Sequence, residues 1–202
     1  MVESSNTSAT RTRGRPRSDA TNEAIVNATL ELLESENYQD VSIDKIAAQA
    51  KVGKQTIYRR WNSKASLLLD VMTERIFNRM VGVVPSGDAL SDIEDLLKRY
   101  FVQLRHPLAD KGFRAMVAEA QFDADFREKF YSGFVNDRRY QVRELLQAGV
   151  EVGQVRSDLS LDLVVDILFG GIWFRLLSGT GAPLDDAFAK DLVAILKPYL
   201  VK

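Results

Sequence analysis

The chain has 202 residues, with 27 Lys and Arg against 28 Asp and Glu, a formal net charge of −1 and no cysteine. That length allows one or two domains with a sizeable apolar core. The lack of cysteine excludes disulfides and thiolate metal sites and agrees with a reducing, cytoplasmic location.

The charge is unevenly spread. Residues 11–17, RTRGRPR, hold four arginines. Residues 45–69 carry Lys45, Lys51, Lys54, Arg59, Arg60 and Lys64 without one acid, whereas residues 71–202 hold 17 basic and 19 acidic groups. Local charge therefore marks the first third as a surface for a polyanion.

Residues 1–18 are polar and lack apolar periodicity, which predicts a disordered basic arm with no signal peptide. From Asp19 the steps Ala24, Ile25, Ala28, Leu32 and Leu33 predict a helix, with Ser18 or Asp19 as N-cap and an end near Glu36–Asn37. Ser42 caps a short helix to about Ala50, Lys51-Val52-Gly53 interrupts, and a second short helix runs from about Lys54 to Trp61. Asn62 or Ser63 caps a third, carrying Leu67, Leu68, Val71, Met72, Ile76 and Met80 towards Gly82.

Two short helices joined by a three-residue turn, the second basic, predict a helix-turn-helix. With Ile57 and Trp61 turned inward, a 100° wheel points Gln55 and Arg59 away from the core. An α-helix fits the major groove, where Gln pairs with adenine and Arg with guanine through two hydrogen bonds each. Base reading is thus assigned to Gln55 and Arg59, with Thr56 a third candidate. Ser42, Lys54, Tyr58 and Arg60 are assigned to the DNA contact beside them, as is Lys64 at the start of the next helix.

VSIDKIAAQAKVGKQTIYRRWNSKASLL resembles the N-terminal domain of TetR-family transcriptional regulators, through Ile46-Ala47, Ala50, Val52, Tyr58, Trp61, Lys64 and Leu67. The family often has Gly where this chain has Lys51 and Gln55. Lys51 is therefore expected in a left-handed turn. The arm's RGRP is similar to the core of an AT-hook, so Arg13, Arg15 and Arg17 are expected at DNA, either inserted in an A·T-rich minor groove or loosely held by phosphates.

The rest also reads as helix. Leu90, Ile93, Leu96, Leu97, Tyr100, Phe101 and Leu104 form one stripe; Pro107 opens a helix to about Gln121; Phe126, Phe130 and Phe134 lie four apart on a long helix ended by Gly149 and Gly153. The run at 161–177 is apolar all round but short for a membrane span and carries Asp166 and Arg175, so a buried helix is expected. Its Gly170-Gly171 suggests close approach by another helix. Leu163, Ile167, Gly170 and Phe174 share one face, expected to meet a partner subunit beside Leu192 and Leu196 of the last helix, about 184–200; packing within the chain is the alternative.

Tyr100, Phe101, Met116, Phe122, Phe130, Phe134 and Trp173 are either plain core or the lining of a pocket for the small-molecule effector that the resemblance implies. Arg114, Arg138 and Arg175 would serve an anionic effector or, as preferred, pair with Asp123, Asp125 or Asp166. The resemblance further implies a homodimer on a near-palindromic double-stranded operator. The expected architecture is all-α: a basic arm at 1–18, a helix-turn-helix domain at 19–64, and a bundle at 65–202 for effector binding and dimerisation. A DNA-binding regulator, a repressor released by its effector, is the function expected. An architectural DNA-binding protein without effector is the alternative. An enzyme is not expected, since His106 is the lone histidine and there is no P-loop, dinucleotide glycine motif or zinc-binding His pair. No cofactor, metal or membrane partner is foreseen.

Overall fold

A computed structural model of the chain describes residues 15–77, 82–180 and 182–201, the first four by backbone alone. The described residues form helices: α1 (Arg15–Ser35), α2 (Ile43–Gln49), α3 (Lys54–Tyr58), α4 (Lys64–Met72), α5 (Ala89–Leu104), α6 (Pro107–Phe122), α7 (Ala124–Lys129), α8 (Asn136–Glu151), α9 (Leu161–Leu177) and α10 (Asp186–Leu200). Two π-helical stretches, Thr73–Phe77 and Phe130–Val135, extend α4 and join α7 to α8. A lone bridge pairs Val155 with Val201. No described helix is long and apolar enough to cross a membrane.

α1 begins at Arg15, earlier than the polar composition implies. Pro16 in its first turn costs no hydrogen bond, because the first N–H groups of a helix have no partner within it. The expected arm before Arg15 lies outside the described residues. Most of the other starts, though not those of α3 and α8, are capped by side chains that the sequence advertises. Ser42 accepts from Lys45 N, Ser63 forms a reciprocal box with Ser66, and Asp88, Asp123, Ser160 and Asp185 cap α5, α7, α9 and α10. His106 caps α6 ahead of Pro107.

One apolar core runs from Ile25 to Leu200. α1 packs on α2, α4 and α6, and α2 on α3, so the first third is a three-helix unit with α4 at its base. α5, α6, α8, α9 and α10 make the bundle. α6 belongs to both. Its Gly112 lies against Met72 of α4, so close that a β-carbon there would stand 2.4 Å from the Met72 methyl. Its Lys111 Nζ donates to Leu33 O (2.7 Å) and Glu36 O (2.9 Å), covering the open carbonyl end of α1. Its Glu119 accepts from the Tyr38 hydroxyl at 2.9 Å.

Candidate nucleic-acid interface and internal cavity

Ile46, Ala47 and Ile57 are buried where α2 crosses α3, and the small Ala47 permits the crossing. Val52 N returns to Ala47 O at 2.9 Å, and Lys51 makes the turn at φ 55°, the left-handed value expected of it. α3 is shorter than its sequence pattern: it ends at Tyr58, and Trp61 sits beyond it in a tight turn. The anchoring is nevertheless as the wheel has it. Ile57 is 0% and Trp61 3% exposed, with the indole N–H donating to Asp70 Oδ2 at 2.8 Å.

The opposite side of α3 is open: Gln55 and Arg59 are exposed, and Tyr58 is half out. Thr56 is less open. It lies in a polar groove between α3 and α1 with Thr21, Asn22, Arg59 and Arg60, which brings α1 to the edge of the surface. Thr21 and Asn22 were not singled out from sequence; they are small and uncharged, in a helix whose basic neighbours draw attention elsewhere.

The flanking residues divide. Arg60 is exposed, its guanidinium 4.7 Å from the centre of the Trp61 ring, a stacking that holds it at the surface. Lys54 is exposed but meets Asp44 at 2.7 Å, which raises its pKa and offsets its charge. Ser42 Oγ is used as a cap. Lys64 departs from expectation. Its ammonium donates to Tyr38 O (2.8 Å) and Val41 O (2.9 Å) and lies 3.9 Å from the Tyr38 ring centre. Burial lowers its pKa. Lys64 is thus a brace between α4 and the loop after α1, and we remove it from the phosphate contacts. Arg13 lies outside the described residues; of Arg15 and Arg17 only the backbone, the first turn of α1, is described.

The bundle holds a partly open apolar cavity of about 40 Å³. Tyr100, Phe134 and Trp173 line it as expected, together with Phe77, Gln103, Phe113, Arg138 and Phe169. Phe101, Met116 and Phe130 do not; each is 0% exposed in close-packed core. Phe122 is corrected more sharply, being 92% exposed at the end of α6. The two π-helical stretches meet at the cavity wall: Phe77 lies in the first, Phe134 in the second, and their rings touch edge-on at 4.8 Å.

The arginines do not find the aspartates proposed for them. Arg114 pairs with Asp110 at 2.9 Å, Arg175 stacks on Phe188 and donates to Pro183 O, and Asp166 is taken by Arg139. Asp123 is a helix cap. Arg138 has no carboxylate within ion-pair distance among the described residues.

α9 is buried on one side only, through Val164, Val165, Leu168, Ile172 and Leu176. Leu163, Ile167 and Phe174 are 57%, 52% and 65% exposed, and a β-carbon at Gly170 would touch nothing. On α10 the assignment shifts. Leu196 is buried in its own bundle and Leu192 packs against Gly171, while Ile195 and Tyr199 stand outside.

Residues 25–71 match the family model for bacterial regulatory proteins of the tetR family, and residues 83–196 match that for the tetracyclin repressor-like C-terminal domain. The HTH-type transcriptional regulator YdeS of Bacillus subtilis is 32% identical over 183 residues, 90% of each chain. The DNA-binding transcriptional repressor TetR of Mycobacteroides abscessus is 27% identical over 180 residues, 88% of this chain and 92% of that one. The crystal structure of the TetR family transcription regulator SCO0332 superposes with a TM-score of 0.70 at 28% identity, over 88% of this chain and 97% of that one. With its helix-turn-helix open on one side and both halves matched, the chain belongs to the TetR family of DNA-binding transcriptional regulators.

Proposed function

We propose that the protein is a cytoplasmic homodimeric repressor that reads a near-palindromic operator with α3 and leaves it when a small effector enters the bundle. The observation that carries this is the division of α3. Ile57 is sealed in the core, and the exposed Gln55 and Arg59 form the side that enters the major groove. Gln55 and Arg59 read bases; Tyr58 and Arg60 hold phosphates, with Lys54 joining when DNA competes with Asp44. Arg13 of the arm and Arg15 and Arg17 at the start of α1 add to the contact. The outer faces of α9 and α10, Leu163, Ile167, Gly170 and Phe174 with Ile195 and Tyr199, meet a second copy.

The cavity supports the effector half of the reading. Its 40 Å³ is far below the roughly 300–1,000 Å³ of an ordinary ligand site, so an effector must push its wall apart. Phe77 in that wall belongs to the helical rod that starts at Lys64, directly after the reading head. Displacing Phe77 moves the rod and changes the separation of two reading heads in the dimer. A coupling of about 1–3 kcal/mol is enough to empty an operator several-fold.

Selection of bound duplexes from random DNA tests the reading. We expect a two-fold symmetric winner with half-sites about one helical turn apart. A winner without symmetry, or no enrichment at low salt, would overturn it.

A further inference from the structure

The cavity is apolar along most of its wall, with a few polar groups among the lining. Phe77, Phe113, Phe134, Phe169 and Trp173 supply aromatic faces. The polar groups of the lining are Arg138, Tyr100, which interacts electrostatically with it, and Gln103 one turn further along α5. Tyr100 OH and Gln103 Oε1 are buried and make no hydrogen bond. Buried polar groups in native proteins nearly always have partners, so the orphaned Tyr100 hydroxyl, a donor, is informative; Gln103 Oε1 is an acceptor and calls for a donor on the ligand, not for its carboxylate.

Arg138 sharpens the point. One guanidinium N–H goes to Phe134 O at 2.6 Å, and the group lies 3.5 Å from the centre of the Phe134 ring and 5.3 Å from that of Phe77. Ring faces and one carbonyl occupy part of the guanidinium and leave N–H donors free to take an acceptor from a ligand. Burial pulls its pKa down to about 10, still well above neutrality, so the charge is present. A partly buried charge without a counter-ion is costly, and a bound anion reduces that cost.

We propose that the effector is an organic anion, an aromatic or long apolar body ending in a carboxylate. Arg138 receives the carboxylate through paired N–H groups, and Tyr100 donates a further hydrogen bond. The proposal rests on the reading of this cavity as the effector site. It predicts selectivity of an unusual sharpness: a neutral amide of the same shape keeps the apolar contacts but loses the charge-assisted bonds.

The test uses matched pairs, benzoate with benzamide, 2-naphthoate with 2-naphthamide and octanoate with octanamide, on the full chain. Binding is read by tryptophan fluorescence and thermal shift. Trp173→Phe serves as the control that locates the signal. In the wild type at least one acid should bind roughly tenfold or more tighter than its amide. In Arg138→Met that ratio should fall to about one; Arg138→Lys should keep part of it. Should Arg138→Met fail to fold, the wild-type and Arg138→Lys ratios still decide. Amides equal to acids, with a Trp173-dependent signal, would sink the anion but leave the effector cavity standing. Silence from every pair at millimolar concentration would sink both.

Discussion

Lys51 holds the turn between α2 and α3 at φ 55°, the one described non-glycine residue with positive φ. A side chain in that conformation costs about 1–2 kcal/mol, and glycine escapes the cost at the expense of a looser unfolded chain. Lys51→Gly should therefore raise the unfolding free energy by about 0.5–1 kcal/mol, read from the midpoint of a urea titration. The same replacement removes an exposed charge beside the reading helix, so tighter folding should come with weaker DNA binding at low salt. Gln55 and Arg59 behave in the opposite way. Both are exposed and anchor nothing, so alanine at either should leave the urea midpoint in place. It should relax base preference by about 1–3 kcal/mol per contacted pair, measured with operator variants. Loss of stability instead would mean that these side chains belong to the fold.

Among the elements, α6 has the most connections. It covers the end of α1 through Lys111, holds the following loop through Glu119, and accepts Met72 of α4 at Gly112. Lys111→Met removes two bonds from a charged donor to carbonyls that nothing else among the described residues is seen to cap. We expect a loss of about 1–3 kcal/mol by urea denaturation, with helix content in the native state unchanged. A midpoint within error of the wild type would show that water replaces the lysine. The helices themselves were legible because their caps and stripes are local: Ser42, Ser63 and Asp185 mark starts by chemistry that operates within three residues. The reading side of α3 was legible for the same reason, since Ile57 and Trp61 are large and Gln55 and Arg59 are polar. The cavity was not. Phe101, Phe130 and Phe134 look alike in sequence, and only the packing of distant helices decides which of them faces a void. Nor does sequence reveal a π-helical stretch such as Phe130–Val135, whose extra residue per turn leaves no mark on composition. The fate of Lys64 was hidden likewise, because the carbonyls of Tyr38 and Val41 that take it are more than twenty residues away.

At the scale of the whole molecule, the outer side of α9 and α10 raises the question of what covers it. Leu163, Ile167, Phe174, Ile195 and Tyr199 are each more than half exposed, and Gly170 leaves a flat place among them. Contiguous apolar surface of that kind marks an interaction site on a soluble protein. A helix pair presenting the same face twice is self-complementary about a two-fold axis, which matches the symmetry a dimer needs to read a near-palindrome. Phe174 gives the cleanest test, because its side chain is 65% exposed and its removal disturbs little of the chain's own core. Phe174→Glu places like charges across the axis and should yield a folded monomer by sedimentation at micromolar concentration. Circular dichroism should match the wild type. Binding to a full operator should weaken by roughly a hundredfold or more, because two linked half-site contacts become independent ones, while affinity for a single half-site stays as it was. A variant that still sediments as a dimer would assign the two-fold contact to another face. A monomer that holds the full operator as tightly as before would show that this DNA contact needs only one reading head.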